Sequence, residues 1–403
     1  MPVAASTRLR HAALLAALAA AAVVTACGGG SAGDAGASAA SGVTPTAFTQ
    51  GTITGFGSIV VNGVRFDESA ASISDDAGNP STAQALRLGM RVEVDHASLD
   101  ASASSARAAA VRYGSLVLGP VASVNVAGNT LTVLGQVLDI SNSTVFSDTL
   151  AGGLTALAVG AVVEVHGLAD AATGHISATR VEAASGATRY KLRGTVAGLN
   201  TTAKTFNIGA AAVSYATLAS TAVPSTLADG VALRVELATA QSGGFWVASS
   251  LGVKGPRDHA NGLGGHVRGK ITAFTSATHF TVDGVVVDAS AASFPDGSSG
   301  LALGVEVEVD GTVSNGVLLA TRVAIDSRHQ GDDSHKWHLF GAISALDTSA
   351  KTFVVRAVTV NYGAATSYVG GSVADLAVGR QVHVKGSVGS TRTQVQAAVI
   401  SFE

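Results

Sequence analysis

Histidine is the chemically versatile residue whose placement is least even in this chain. Of 11 histidines in 403 residues, five fall in two polar stretches: His259 and His266 in one, and His329, His335 and His338 in the other. The second stretch also carries Asp326, Asp332 and Asp333. Imidazole nitrogens and carboxylate oxygens together bind Zn²⁺ or Cu²⁺. His259, His266, His329, Asp332, Asp333, His335 and His338 are therefore a candidate set for a divalent metal, provided the two stretches converge on the segment between them. Their spacing matches no zinc motif, and a solvated polar linker is the competing reading.

Other chemistry is harder to find. Glu93, Glu164 and Glu306 stand between apolar residues on alternating segments, which puts them on the solvent face of strands. A general acid/base pair needs two carboxylates in one cleft, and nothing in the sequence brings these together. Gly29-Gly30-Ser31-Ala32-Gly33 matches the G-x-S-x-G pattern of a nucleophile elbow but lacks the strand before it and the helix after it. Trp246 and Trp337 are expected to plug barrel ends or junctions, where a large half-polar ring packs well, more than to stack on a sugar or base. No catalytic residue is assigned, and the chain is expected not to be an enzyme.

One residue has a specific chemical role. Cys27 is the single cysteine, so no disulfide within the chain is available. It follows a short basic region (Arg8, Arg10, His11) and an apolar run from Ala12 to Val24, which is too short to span a bilayer and suits an export signal. Val24-Thr25-Ala26-Cys27 resembles the lipobox of bacterial lipoproteins. The resemblance implies cleavage after residue 26 and acylation of Cys27, with the thiol as the acceptor. Two or three acyl chains hold a protein on a membrane where one binds only marginally. Gly28 stands where an Asp would resemble an inner-membrane retention signal, so the resemblance points to the outer membrane. Residues 28–42 are nearly all Gly, Ala and Ser, a flexible tether with no core-forming material.

The elements beyond the tether come from composition and repetition. Apolar residues make up 47% of the chain and charged ones 13%, with 48 glycines, which suits strands joined by tight turns. The formal charge of −3 falls to −5 once Arg8 and Arg10 leave with the signal, and no basic face is evident, so nucleic acid is not an expected partner. A phrase Leu-x-x-Gly followed by an alternating strand occurs five times, with its glycine at 89, 160, 230, 304 and 379. Each copy opens with Gly-x-Ile/Val, as in Gly51-Thr52-Ile53 or Gly341-Ala342-Ile343, weakest at Gly119-Pro120-Val121. A hairpin follows, marked by Asn62-Gly63 in the first copy and Asp283-Gly284 in the fourth, both suited to a type I′ turn. The third copy lacks such a dipeptide, and Arg356-Ala357-Val358 replaces it in the fifth.

The pattern predicts an all-β chain: a tandem array of about five small five-stranded OB-like barrels, with a polar segment and short helical turn between the third and fourth strands. Expected bounds are 1–26 signal, 27–48 acylated Cys and tether, and barrels over 49–113, 114–185, 186–254, 266–326 and 338–403. Linkers fill 255–265 and 327–337. The repeat resembles the family known as domain of unknown function 5666, from about Gly51 to the C-terminus. The family has no established activity, so the resemblance implies fold and topology but no site.

The function expected on these grounds is non-enzymatic: a lipid-anchored protein of the bacterial cell envelope, presenting its barrels for binding or spacing. Its partners would be the membrane, and other envelope proteins or polysaccharide. One alternative is a periplasmic lipoprotein that binds a metal or small ligand through the His-rich stretches. A weaker alternative is a cell-wall-active hydrolase.

Overall fold

The two repeated phrases are hydrogen-bond partners. In the computed structural model, which describes residues 42–99, 104–253, 259–326 and 337–403, the same two-way backbone contact recurs five times. The glycine amide of Leu-x-x-Gly donates to the carbonyl of the opening Ile or Val: Gly89 to Ile53, Gly160 to Val121, Gly230 to Val196, Gly304 to Ile271 and Gly379 to Ile343, all at 2.8–2.9 Å. The amide of each Ile or Val donates back to the residue after the glycine, as Ile53 does to Met90. All five glycines have φ between +81° and +89°, a left-handed conformation that a Cβ opposes.

Alternation then fills the cores. The residue five after each of these glycines is Val94, Val165, Val235, Val309 or Val384, and each is fully buried. The opening Ile53, Val121, Val196, Ile271 and Ile343 are buried beside them. Burying such a side chain stabilises by about 1.5–3 kcal/mol.

Each module is a closed barrel of five strands. In module one these are Ala47–Phe56, Ile59–Val61, Val64–Asp67, Arg91–His96 and Ser105–Tyr113. The first three form an antiparallel meander, the third pairs in parallel with the fifth, and the fifth and first flank the fourth. Parallel pairing of third and fifth strands recurs at Leu138↔Ile176, Val213↔Trp246, Val287↔Leu318 and Val360↔Val395. The fourth strand closes on the first in every module. This strand order is that of an OB-like barrel. Single 3₁₀ turns, such as Ala83–Ala85 and Val373–Asp375, occupy the segment before the fourth strand.

The second and third strands are joined by a two-residue turn in all five modules, including the three without an Asn-Gly or Asp-Gly dipeptide. Asn62-Gly63, Leu134-Gly135, Asp283-Gly284 and Arg356-Ala357 have positive φ at both residues, as type I′ requires. Module three turns at Gly209-Ala210 with positive φ at Gly209. The barrel imposes the conformation on Leu134, Arg356 and Ala357 against their own preference.

The barrels interlock. The first strands of modules one and four pair in parallel over Ala47–Gln50 and Gly264–Val267, and Gly55-Phe56 pairs with His338-Leu339 of module five. Modules two and three join through Leu118↔Lys191. Glycine permits these approaches: a Cβ on Gly55 would stand 2.0 Å from the His338 carbonyl oxygen. Phe48 leaves module one to enter the core of module four, stacked on His259 at 3.8 Å between ring centres. Trp337 is buried in a core shared by modules one and five, and half-buried Trp246 meets Tyr190 edge-on at 5.7 Å. Among the described residues no helix is long and apolar enough to cross a membrane.

Candidate functional site

Outward-facing polar positions of the strands become interior where modules meet. The carboxylate in register with Glu93 and Glu164 is Glu308, four residues after its Leu-x-x-Gly glycine; Glu306 takes the place of Arg91. None of these carboxylates stands on an open solvent face. Glu93 and Glu306 are about 15% exposed at the side chain, with Arg112 3.5 Å from Glu93 and Arg268 3.3 Å from Glu306.

The described candidate ligands lie in three places. His259 is 3.7 Å from Glu93 and close to Asp95, while Arg112 bonds Asp95 at 2.6 Å. His266 Nδ1 is 2.6 Å from Asp310 Oδ1, beside Glu308, and Arg322 lies 3.3 Å from Asp310. Each group brings its ligand atoms within 4.8 Å of one another and could hold a divalent ion once the arginine moved off the carboxylates. The carboxylates of the two groups are equivalent, since Glu93 and Asp95 occupy the register of Glu308 and Asp310, but the histidines are not: Phe48 holds in module one the place of His266 in module four. Burial works to raise the Asp310 carboxyl, but hydrogen bonds and charge from His266 and Arg322 outweigh it and hold it below the usual range. His338 instead faces His383 across the first and fourth strands of module five, Nδ1 to Nε2 3.3 Å. His329, Asp332, Asp333, His335 and Cys27 lie outside the described residues.

A second arrangement was not singled out in the sequence. Modules one to four meet around a cavity of about 280 Å³. Arg193 and Arg234 of module three stand directly opposite each other on adjacent strands, and Asp76 of module one reaches between them. Lys191 adds a third cation, 3.3 Å from Asp76. Gly114 makes room, because a Cβ there would lie 2.6 Å from an Asp76 oxygen. Further along the wall Arg91 bonds Asp283 at 2.7 Å and the Arg268 carbonyl at 3.1 Å. The signal was present as a departure from the repeat: the position of Glu93, Glu164 and Glu308 is arginine in copy three, at Arg234.

Polar contacts continue to module two. Arg180 donates to the Leu88 carbonyl at 3.0 Å, Thr179 to the Gly89 carbonyl at 2.6 Å, and Lys270 bonds Asp170 at 2.5 Å. His166, 1% exposed, lies 3.1 Å from the Gly114 carbonyl through Nδ1. Burial pushes its imidazole down to about 4, with the nearby Arg180 and Lys191 adding to the effect.

Comparison with known proteins bears on the barrels. The model of the family described as domain of unknown function (DUF5666) matches residues 50–106, 119–182, 268–324 and 340–401. The matched stretches leave out module three, which nonetheless has the same strand order. No curated protein matches. Among solved structures, the chain is similar to one titled "drosophila Unr CSD456", at 13% identity over 54% of this chain and 98% of that one, with a TM-score of 0.14.

The His166 shift carries a pH dependence. The unfolded chain takes up a proton near pH 6.5 and the folded one only near 4, so the stability owed to neutral His166 is complete above about pH 6.5 and lost as pH falls toward 4. Up to about 3 kcal/mol is at stake. Urea unfolding of the His166→Gln variant should show a shallower fall in stability than wild type over that window.

Proposed function

The chain belongs to the DUF5666 family, and we propose that it is a non-enzymatic protein of the bacterial cell envelope, held by lipid on Cys27, whose five barrels act as one fixed binding body. The observation that carries this reading is the strand pairing between modules, Ala47–Gln50 with Gly264–Val267 above all. A spacer would need only its chain length, whereas joined barrels hold residues from several modules in one constant geometry. The anchor rests on the Val24-Thr25-Ala26-Cys27 sequence, and the outer membrane on Gly28.

A second reading, divalent-metal binding, is favoured by one feature. His266 presents Nδ1 to Asp310, and its other nitrogen, Nε2, is buried with no hydrogen-bond partner. A carboxylate behind one imidazole nitrogen is the usual way to aim the other at a metal. Zn²⁺ titrated into the detergent-solubilised full chain should then give heat that the His266→Ala variant loses. Equal heat from both proteins would set this reading aside.

The anchor is tested by expression in a bacterium with two membranes. Mass spectrometry of the mature N-terminus should find acylated Cys27, and Cys27→Ala should move the protein from the membrane to the soluble fraction. Membrane retention of that variant would overturn the proposal.

A further inference from the structure

We propose that the cavity between the modules is a binding site for a small oxyanion, a phosphate or a carboxylate. It gives the binding role above a ligand class, but it rests on the joined barrels and not on the anchor. Among the described residues, four guanidinium groups line the cavity, those of Arg91, Arg112, Arg193 and Arg234, and three carboxylates face them there: Asp76, Glu93 and Asp283. Lys191 stands behind Asp76 as a further cation, with Asp75 close enough to feel its charge.

The excess of positive charge is concentrated at one point. Arg193 and Arg234 are direct cross-strand neighbours, an arrangement that repels unless an anion intervenes. Asp76 is the carboxylate in contact with them, and it is already bonded to Arg193 and Lys191. Arg234 Nη1 is 3.9 Å from Asp76 Oδ1, beyond hydrogen-bond reach. Glu236, directly opposite Lys191 on the adjacent strand, is engaged by Arg189 at 2.8 Å. At the far wall, Glu93 and Asp95 are engaged by Arg112 and His259.

The donors left over point to the ligand's chemistry. Arg234 Nη1, Arg193 Nε and Arg91 Nε are buried and make no hydrogen bond with the protein. The side chain of Arg91 is 9% exposed, and those of Arg193 and Arg234 are 15% and 20% exposed. Buried N–H groups without an acceptor are costly, and guanidinium forks match the paired oxygens of carboxylate and phosphate. The volume, about 280 Å³, suits inorganic phosphate or a short dicarboxylate and not a polymer.

The test is calorimetry and thermal unfolding of the detergent-solubilised full chain with inorganic phosphate in one arm and malonate in the other. At least one should bind with one site per chain and raise the melting temperature; the stronger arm identifies the chemistry. Arg234→Gln should weaken that binding by about tenfold or more, while Lys204→Gln, at an exposed cation of the same module outside the cavity lining, should not change it. In anion-free buffer Arg234→Gln should melt at a higher temperature than wild type, because it removes the repulsion with Arg193. A purely structural Arg234 would lower it. Absence of heat and of any melting shift with both anions up to about 10 mM would overturn the proposal, as would unchanged binding by Arg234→Gln. Either failure with Cys27 still acylated would remove the oxyanion site and leave the anchor reading standing.

Discussion

Everything in this molecule depends on a reciprocal backbone contact repeated once in each module: the amide of a left-handed glycine to the first strand, and the first strand's amide back to the residue after that glycine. The contact fixes where the fourth strand starts against the first. Once that register is set, the period-two alternation turns Val94, Val165, Val235, Val309 and Val384 inward, and their neighbours outward. A slip of one residue would reverse both faces. The core and the polar residues between modules are therefore set by the same bond.

The outward set acquires its role from packing between modules. Module one supplies the shared edge: its first strand pairs with module four at one end and with module five at the other. Its Leu88-Gly89 turn meets module two, and its Asp76 meets module three. Gly89 shows the constraint this imposes. Its counterpart Gly160 has open space where a Cβ would stand, but a Cβ on Gly89 would lie 2.5 Å from the Thr179 carbonyl oxygen. One repeated residue thus has a purely local duty in one copy and an intermodular duty in another.

Much of the fold was legible in the sequence, because its determinants are local. The five Leu-x-x-Gly phrases, the opening Gly-x-Ile/Val phrases and the Asn62-Gly63 and Asp283-Gly284 turns give strand number and order. Leu134-Gly135 and Arg356-Ala357 adopt the same turn by closure of the barrel, so their residue types did not declare it. The joining of modules was hidden for a different reason. It depends on which outward faces meet, and an alternating strand of Glu or Arg reads as solvated whether or not another module covers it. His259 and His266 stood out because histidine is unevenly placed here, yet they fall in separate carboxylate groups. Arg234 stood out less, although it replaces the glutamate found at that position in copies one, two and four.

The central claim is that five barrels form one body and not beads on a flexible string. Small-angle scattering from the Cys27→Ala full-length protein tests it most directly. Joined barrels predict a radius of gyration of about 21 Å for the folded region, the value for a compact chain of this length. A value above about 30 Å, well beyond that of a compact chain of this length, would contradict the account.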